Sequence, residues 1–221
     1  MKVSEAVRRR KSVRAFLDTP VDTDLLSDLL VQAARSPSGG NVQPWRISLL
    51  APPAMARFRG VMAERMKSGP PDQGEYLMYP PDIGEPYKAR QRKIASDMYA
   101  LLGIGREDKQ KRVDWMNQNF DFFGAQAALF CHVERHMDRP QWSDLGMFLQ
   151  TFMLLLQEAG IDSCPQEAWS LQYKTVDNFL DMPPEWMLFC GMAIGHADPD
   201  HAVNQLQTER APVEEWLKVI D

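Results

Sequence analysis

The run Thr23-Asp-Leu-Leu-Ser-Asp-Leu-Leu-Val-Gln-Ala-Ala-Arg35-Ser-Pro-Ser-Gly-Gly-Asn41-Val-Gln-Pro-Trp45-Arg-Ile-Ser-Leu-Leu50 holds three kinds of structure in succession. Leu25, Leu26, Leu29, Leu30, Ala33 and Ala34 fall on one stripe at helical spacing, with Asp22 or Thr23 to cap it and Ser36-Pro37 to stop it. Ser36-Pro-Ser-Gly-Gly-Asn41 then forbids regular structure, and Trp45 to Leu50 reads as a strand running into Pro52-Pro53. The unit is helix, glycine loop, strand.

Working outward, helices are expected over Ala54 to Lys67, Lys88 to Leu102, Asp108 to Phe120 and Glu167 to Leu180. Gly69 to Pro86, with five prolines and three glycines around Tyr76, Met78 and Tyr79, reads as a long surface loop. Ala125 to Glu134 and Trp186 to Gly195 are apolar runs of strand length. Between Pro140 and Gly160 the apolar positions Leu145, Phe148, Leu149, Phe152, Met153, Leu155 and Leu156 cover more than one face, which marks a deeply buried helix stopped at Gly160. Long helices with three or four strands and no regular βαβ alternation give the class α+β.

The chain has 221 residues, a length that favours one compact domain able to bury a sizeable core. With 44% hydrophobic and 25% charged residues it is globular rather than disordered. Its net charge of −5 argues against nucleic acid as a partner, since phosphate-backbone binding needs a basic surface. Apolar stretches such as Phe152 to Leu156 are far shorter than the roughly 20 residues that cross a bilayer, so no membrane association is expected. The three cysteines, Cys131, Cys164 and Cys190, are odd in number and far apart, and the first residues carry no secretory pattern, so a cytoplasmic location is expected.

Against that acidic background, Arg8-Arg9-Arg10-Lys11-Ser12-Val13-Arg14 places five cations and a hydroxyl in seven residues. Arginine forks and a serine hydroxyl suit phosphate oxygens, each charge-assisted bond contributing on the order of 1.5 to 3 kcal/mol. By itself such a run also fits a solvated basic face. Gly39 and Gly40 permit close backbone approach to a flat ligand, flanked by Asn41 and Gln43 as donors and acceptors, although the same composition makes a plain turn. Gly160-Ile-Asp-Ser-Cys-Pro-Gln-Glu167 reads as a helix stop and a loop opening a new helix, whose free N–H groups can donate to a ligand or simply begin the helix.

Taken together, Arg-Lys-Ser-x-Arg-x-Phe near the start, Ser-Pro-Ser-x-x-Asn-x-Gln-Pro-Trp about 25 residues later, Gly-Ile-x-Ser-x-Pro-x-Glu after a buried helix, Phe189-Cys-Gly-Met-Ala-Ile-Gly195 and the tail Glu209-Arg210-x-Pro resemble the FMN-dependent nitroreductase family. The resemblance spans most of the chain and leaves residues 54 to 124 without an anchor. It implies a three-layer sandwich, a central and mainly antiparallel sheet flanked by helices, in one FMN-binding domain over residues 1 to 221. It further implies a homodimer with FMN in the interface, a lid-like loop at about residues 69 to 87, and a C-terminal arm, 199 to 221, laid on the partner. Carried over by position, Arg10, Lys11, Ser12 and Arg14 hold the FMN phosphate, ribityl chain and pyrimidine edge, with Arg210 joining at the phosphate. Pro37, Ser38, Gly39 and Asn41 come from the second subunit. Pro165, Gln166 and Glu167 sit beside the flavin ring, with the Glu167 backbone N–H pointing at the atom that carries hydride, and no side chain dedicated to catalysis. Thr208 stands where many members have a basic residue and Ala168 where glycine is common; Asn117 and Asn119 lie in no motif and are not assigned.

The activity so implied is an oxidoreductase in which NAD(P)H reduces FMN and a nitroaromatic, quinone or similar flat acceptor is then reduced in a ping-pong cycle. The same motifs serve flavin dehalogenases and ene-reductases, and a flavin carrier without turnover would also keep them. Reduced flavin is anionic at its pyrimidine edge, and a fixed cation such as Arg14 or Lys11 about 4 Å away stabilises it by roughly 4 kcal/mol at an effective dielectric near 20. No metal is expected: His132 falls on an expected strand, so His132 and His136 lack helical spacing, and the order His-x-Glu-x-His is not that of zinc hydrolases. Gly103-x-Gly105 lacks the third glycine of a dinucleotide fold.

Overall fold

A computed structural model describes all 221 residues. In chain order it contains α1 (Val3–Arg9), α2 (Thr23–Ala33), β1 (Arg46–Leu50), α3 (Pro52–Arg65), α4 (Tyr87–Leu101), α5 (Lys109–Asn117), β2 (Ala127–Glu134), α6 (Arg139–Glu158), β3 (Asp162–Gln166), α7 (Tyr173–Leu180) and β4 (Trp186–Gly195). Asp22, not Thr23, caps α2, its carboxylate accepting the N–H groups of Asp24 and Leu25. At the start of α6, Asp138 and Gln141 form a capping box ahead of the apolar run.

The four strands order as β1-β2-β4-β3, every pair antiparallel. Side-chain alternation along β2 divides the interior. Ala127, Leu129, Cys131 and Val133 face one cluster with Leu26 and Leu29 of α2 and with Leu145, Phe148, Phe152 and Leu156 of α6. Ala128 and Phe130 face a second cluster with Met55, Phe58 and Met62 of α3, Phe122, Trp169 and Val176 of α7. Helices, sheet, helices: this is the three-layer α+β arrangement that the sequence predicts. The interleaved helix α6 is buried along most of its length because it packs on the sheet, on α2 and on α1.

The sequence reading differs from the structure in four places. Asp162–Gln166 is a strand rather than a loop; its Asp, Ser and Pro give no strand signal, and Pro165 is tolerated because β3 is the last strand of the sheet. The helix expected from Glu167 is a 3-10 segment, Glu167–Gln172, followed by α7. The helix expected to Phe120 ends at Asn117, because residues 118 to 124 tighten into a 3-10 turn in which Phe122 and Phe123 adopt positive φ and both become buried. Helix α1 went unanticipated, being only seven residues long, with Ala6 alone buried and Val3 and Val7 exposed.

Two glycines show how tightly the second cluster is filled. Trp169 is fully buried, with Phe122 at 4.5 Å and Phe130 at 5.2 Å between ring centroids. A Cβ placed on Gly191 of β4 would lie 2.4 Å from Trp169 Cδ1, whereas one on Gly60, mid-helix in α3, would meet nothing within 4 Å. Gly191→Ala is therefore expected to cost about 1 to 3 kcal/mol through overpacking. Gly60→Ala should add roughly 0.5 to 1 kcal/mol by removing helix-interior glycine. Urea denaturation of both variants checks the opposite signs.

Candidate active site

Residues 10 to 17 run as an extended strap beside the open edge of β3. Ser12 forms a parallel bridge with Ser163, and the Val13 N–H donates to the Ser163 carbonyl at 3.1 Å. Further on, Phe16 bridges Ala197, the Leu17 N–H donates to His196 and the Asp198 N–H donates to Ala15. With its backbone used in this way and Val13 fully buried, the strap presents alternate side chains on the other side. Asn204 locks it: the Asn204 Oδ1 accepts the Arg14 N–H at 2.9 Å, its Nδ2 donates to the Ala15 and Asp198 carbonyls, and its own carbonyl accepts Lys11 Nζ. Arg14 reaches the Ser12 carbonyl at 3.4 Å. The nearest ion pair in this region joins Arg9 to Glu5, and Arg10, Lys11 and Arg14 have no carboxylate within 4 Å. Burial raises the Cys164 thiol above its ordinary range, while the neighbouring Arg14, Ser12 and Arg10 pull it back.

Next to the strap opens a cavity of about 780 Å³ whose wall includes Arg14, Pro165, Gln166 and Glu167. Most of the rest is apolar: Met98 from α4, Trp115 and Phe120, Leu149 and Met153 of α6, Phe189, and Met78 with Tyr79 from the 69 to 86 loop. Gln166 is buried, its Nε2 donating to Asn119 at 2.8 Å and its Oε1 accepting the Trp169 indole N–H at 3.3 Å. Its side chain is thus a strut in the wall. Burial raises the Glu167 carboxyl above the usual range.

A β-bulge shapes the floor. Cys131 pairs with Cys190 and His132 with Leu188, leaving Phe189 as the extra residue of β4. The Phe189 carbonyl accepts the Tyr76 hydroxyl, whose own pKa burial drives above its ordinary value. Bulge and tyrosine together pin the middle of the 69 to 86 loop to the sheet, with Trp142 edge-on to Tyr76 at 5.1 Å.

Of the residues singled out from sequence, the structure brings Arg10, Lys11, Ser12, Arg14, Pro165, Gln166 and Glu167 to one side of the sheet. Pro37, Ser38, Gly39 and Asn41 are absent from this cavity's wall. They lie on α6, where buried Asp144 accepts the Gly39 N–H at 3.3 Å and the Ser36 hydroxyl bonds Thr151 at 2.8 Å. Gly40, Asn41 and Gln43 all take positive φ there, so this loop is a shaped turn. Arg210 lines a separate cavity of about 460 Å³ between α4 and the tail, and its guanidinium bonds Thr208 and the Glu209 carbonyl. Sequence reasoning missed Asn204 and Asp144, which sit in no motif. It left Asn117 and Asn119 unassigned, and both line the main cavity. The histidines do not converge: His132 is buried on Asp177 of α7 at 3.0 Å, and His136 is paired with Glu134 at 3.1 Å.

The result is a largely apolar cleft at a sheet edge, with Arg14 in its wall and Arg10 and Lys11 on the adjoining strap. Comparison with known proteins sharpens this. The family model described as Nitroreductase family matches residues 7 to 196. A chloronitrobenzene nitroreductase of Comamonas testosteroni is 33% identical over 99% of this chain and 96% of its own. A solved FMN and NADPH-dependent nitroreductase, NfnB from Sphigopyxis sp. strain HMH, superposes with a TM-score of 0.95 at 41% identity, covering 100% of both chains. The FMN-dependent nitroreductase NfnB of Mycobacterium smegmatis, solved with NADPH, gives 0.90 at 25% identity over 100% of both. This chain belongs to the nitroreductase family. No helix in it is long and apolar enough to cross a membrane.

Asn204→Ala deprives the Arg14 N–H and two carbonyls of their partners. The expected loss is on the order of 1 to 3 kcal/mol. Hydrogen exchange at the Arg14 amide should accelerate at the same time, and native-state exchange measurements check both.

Proposed function

We propose that the protein is an FMN-dependent NAD(P)H oxidoreductase that reduces nitroaromatic, quinone or similar flat electrophiles. The observation that carries this reading is the strap: three cations without carboxylate partners, held by backbone bonding to β3 at the mouth of an apolar cavity. The donor set fits the cofactor. Arg10, Lys11 and Ser12 offer charge-assisted bonds to a phosphate, Arg14 faces the cavity, and a volume of about 780 Å³ is ample for a flat ring system.

When bound, FMN supplies the atom that accepts hydride from a nicotinamide and passes it to the acceptor. The chain's own part is electrostatic and steric. Arg14 would stabilise negative charge on a pyrimidine edge bound beside it, and Asn204 fixes the backbone from which it reaches. Gln166, clamped between Asn119 and Trp169, keeps the Pro165–Glu167 wall rigid so that the Glu167 N–H holds one direction. Leu149, Met153, Phe120 and Phe189 exclude water from the site. One cavity then receives nicotinamide and acceptor in turn.

The active unit in this reading is a homodimer of single-domain chains, with Pro37, Ser38, Gly39 and Asn41 of the partner subunit closing the site. Asp144 holds that loop in a fixed turn, and Trp216, Leu217, Val219 and Ile220 leave apolar surface exposed on the 199 to 221 arm. Arg210 joins the phosphate only from a tail position different from the one in the isolated chain. Residues 69 to 87 form the lid, and three buried free cysteines suit a reducing cytoplasm.

Anaerobic addition of NADPH or NADH to the purified protein should bleach its yellow flavin absorption, and re-oxidation should follow on adding a nitroarene. A protein that stays colourless after incubation with FMN overturns the reading. Arg10→Ala should weaken FMN binding by roughly ten- to a hundredfold, the loss of one charge-assisted bond of about 1.5 to 3 kcal/mol, with the melting curve unchanged. A fluorescence titration with FMN measures it.

A further inference from the structure

The stripe of α6 that faces the main cavity carries a gap. Gly146, Leu149, Gln150 and Met153 recur at the spacing of one helix face, and all four line the cavity. At three of these positions a side chain fills the wall, and at Gly146 there is none. Gly146 is exposed, it lies inside a 20-residue helix, and a Cβ placed on it would meet nothing within 4 Å. Glycine in a helix interior is destabilising relative to alanine.

Nothing within the chain asks for that glycine. Its φ is not positive, so its conformation is open to any residue, and no neighbouring atom stands close enough to exclude a methyl group. Other glycines differ: Gly191 and Gly195 leave room for Trp169 and Phe16, whose rings come closer than 3.0 Å to the absent Cβ. The space left at Gly146 opens into the cavity instead. Helix-interior N–H and C=O groups are spent on the helix itself, and Leu149, Met153 and Phe189 make the nearby wall apolar, so the contact offered there is van der Waals contact with a flat ring. The groups proposed to hold the flavin, Arg14 and Pro165 to Glu167, belong to the strap and the end of β3. With the cofactor on that wall, α6 faces the acceptor. Gly60 of α3 has equally open surroundings but is not in the wall of this cavity, and so serves as an internal control.

We propose that Gly146 sets the width of the acceptor site: a flat acceptor lies against the bare backbone of α6, and the missing side chain admits two fused rings where a methyl group would admit one. This rests on the proposed reductase function. It narrows the substrate class to bicyclic flat electrophiles, such as naphthoquinones and nitronaphthalenes.

The test compares FMN-loaded wild type, Gly146→Ala, Gly146→Leu and Gly60→Ala. With NAD(P)H as donor, kcat/KM is measured for 1,4-naphthoquinone and 1,4-benzoquinone, and comparing each variant with wild type cancels the difference in intrinsic reactivity. Gly146→Ala should lower the naphthoquinone to benzoquinone ratio about tenfold, the factor for about 1.4 kcal/mol of overpacking, and Gly146→Leu should lower it further. Gly60→Ala should leave it unchanged. Both alanine variants should melt at or above the wild-type temperature, since each removes a helix-interior glycine. FMN affinity of Gly146→Ala, from a fluorescence titration, should match wild type. An unchanged ratio in Gly146→Leu overturns the proposal, as does an equal loss with both quinones or a lower melting temperature in Gly146→Ala. Weaker FMN binding assigns the clearance to the cofactor, and a changed elution volume in sizing assigns it to a second copy of the chain; either result overturns it too. If wild type holds FMN and is bleached by NAD(P)H yet fails these tests, this proposal alone falls. If it holds no FMN, the reductase reading falls and this proposal with it.

Discussion

The double attachment of residues 12 to 17, to β3 on one side and to the chain leaving β4 on the other, is the constraint on which the site depends. An extended segment bonded in this way has a fixed alternation, with Val13 sunk completely into the protein and its neighbours turned outward. Free arginine and lysine side chains lose up to about 2 kcal/mol of rotamer entropy each when they are ordered on a ligand. Fixing the backbone beneath them removes part of the search. Asn204 completes the device: its side chain bonds two stretches of main chain, Arg14–Ala15 and Asp198, and its carbonyl accepts the Lys11 ammonium. Phe16 fits because Gly195 has no side chain: a Cβ there would come within 2.9 Å of its ring.

Much of this architecture was legible in the sequence because it is written in periodicity. The strand Trp186–Gly195 and the buried helix Arg139–Glu158 show continuous apolar character, and α2 shows one clean stripe with a capping aspartate. What stayed hidden was set by tertiary context. Asp162–Gln166 becomes a strand only because β4 offers it a ladder, and Phe122 and Phe123 accept positive φ because burying two rings against Phe58, Trp115 and Trp169 outweighs the local backbone cost. The clustered motifs located the strap and the Pro165–Glu167 wall. The isolated residues did not declare themselves: Asp144 and Asn204 are ordinary polar residues in sequence, and only the fold shows the backbone groups that each one holds. The Pro37–Asn41 loop and Arg210, by contrast, stood out in sequence yet line no part of the main cavity in the single chain.

The bulge at Phe189 joins two otherwise separate parts of the molecule. By inserting one residue in β4 opposite the Cys131–His132 step, it lets Met187, Phe189 and Cys190 pack on the α6 side while Leu188 points to the other layer. The carbonyl thus freed from the ladder would be a buried orphan without Tyr76. A defect in the sheet and the anchor of a surface loop are therefore one feature.

That anchoring divides the 69 to 86 loop into unequal parts. Asp72, Glu75 and Tyr76 are fastened to Leu171, Arg135 and Phe189, while Leu77 and Tyr79 beyond them are exposed at 74% and 53%. The outer stretch up to α4 is tied down at both ends, with Met78 and Tyr79 at the main cavity and Tyr79 and Ile83 at the cavity beside the tail. Lengthening such a segment carries a small thermodynamic penalty, about 0.6 kcal/mol for each doubling. A change of length or sequence there can accordingly reshape the roof of the cavity without disturbing the sheet, the strap or the floor.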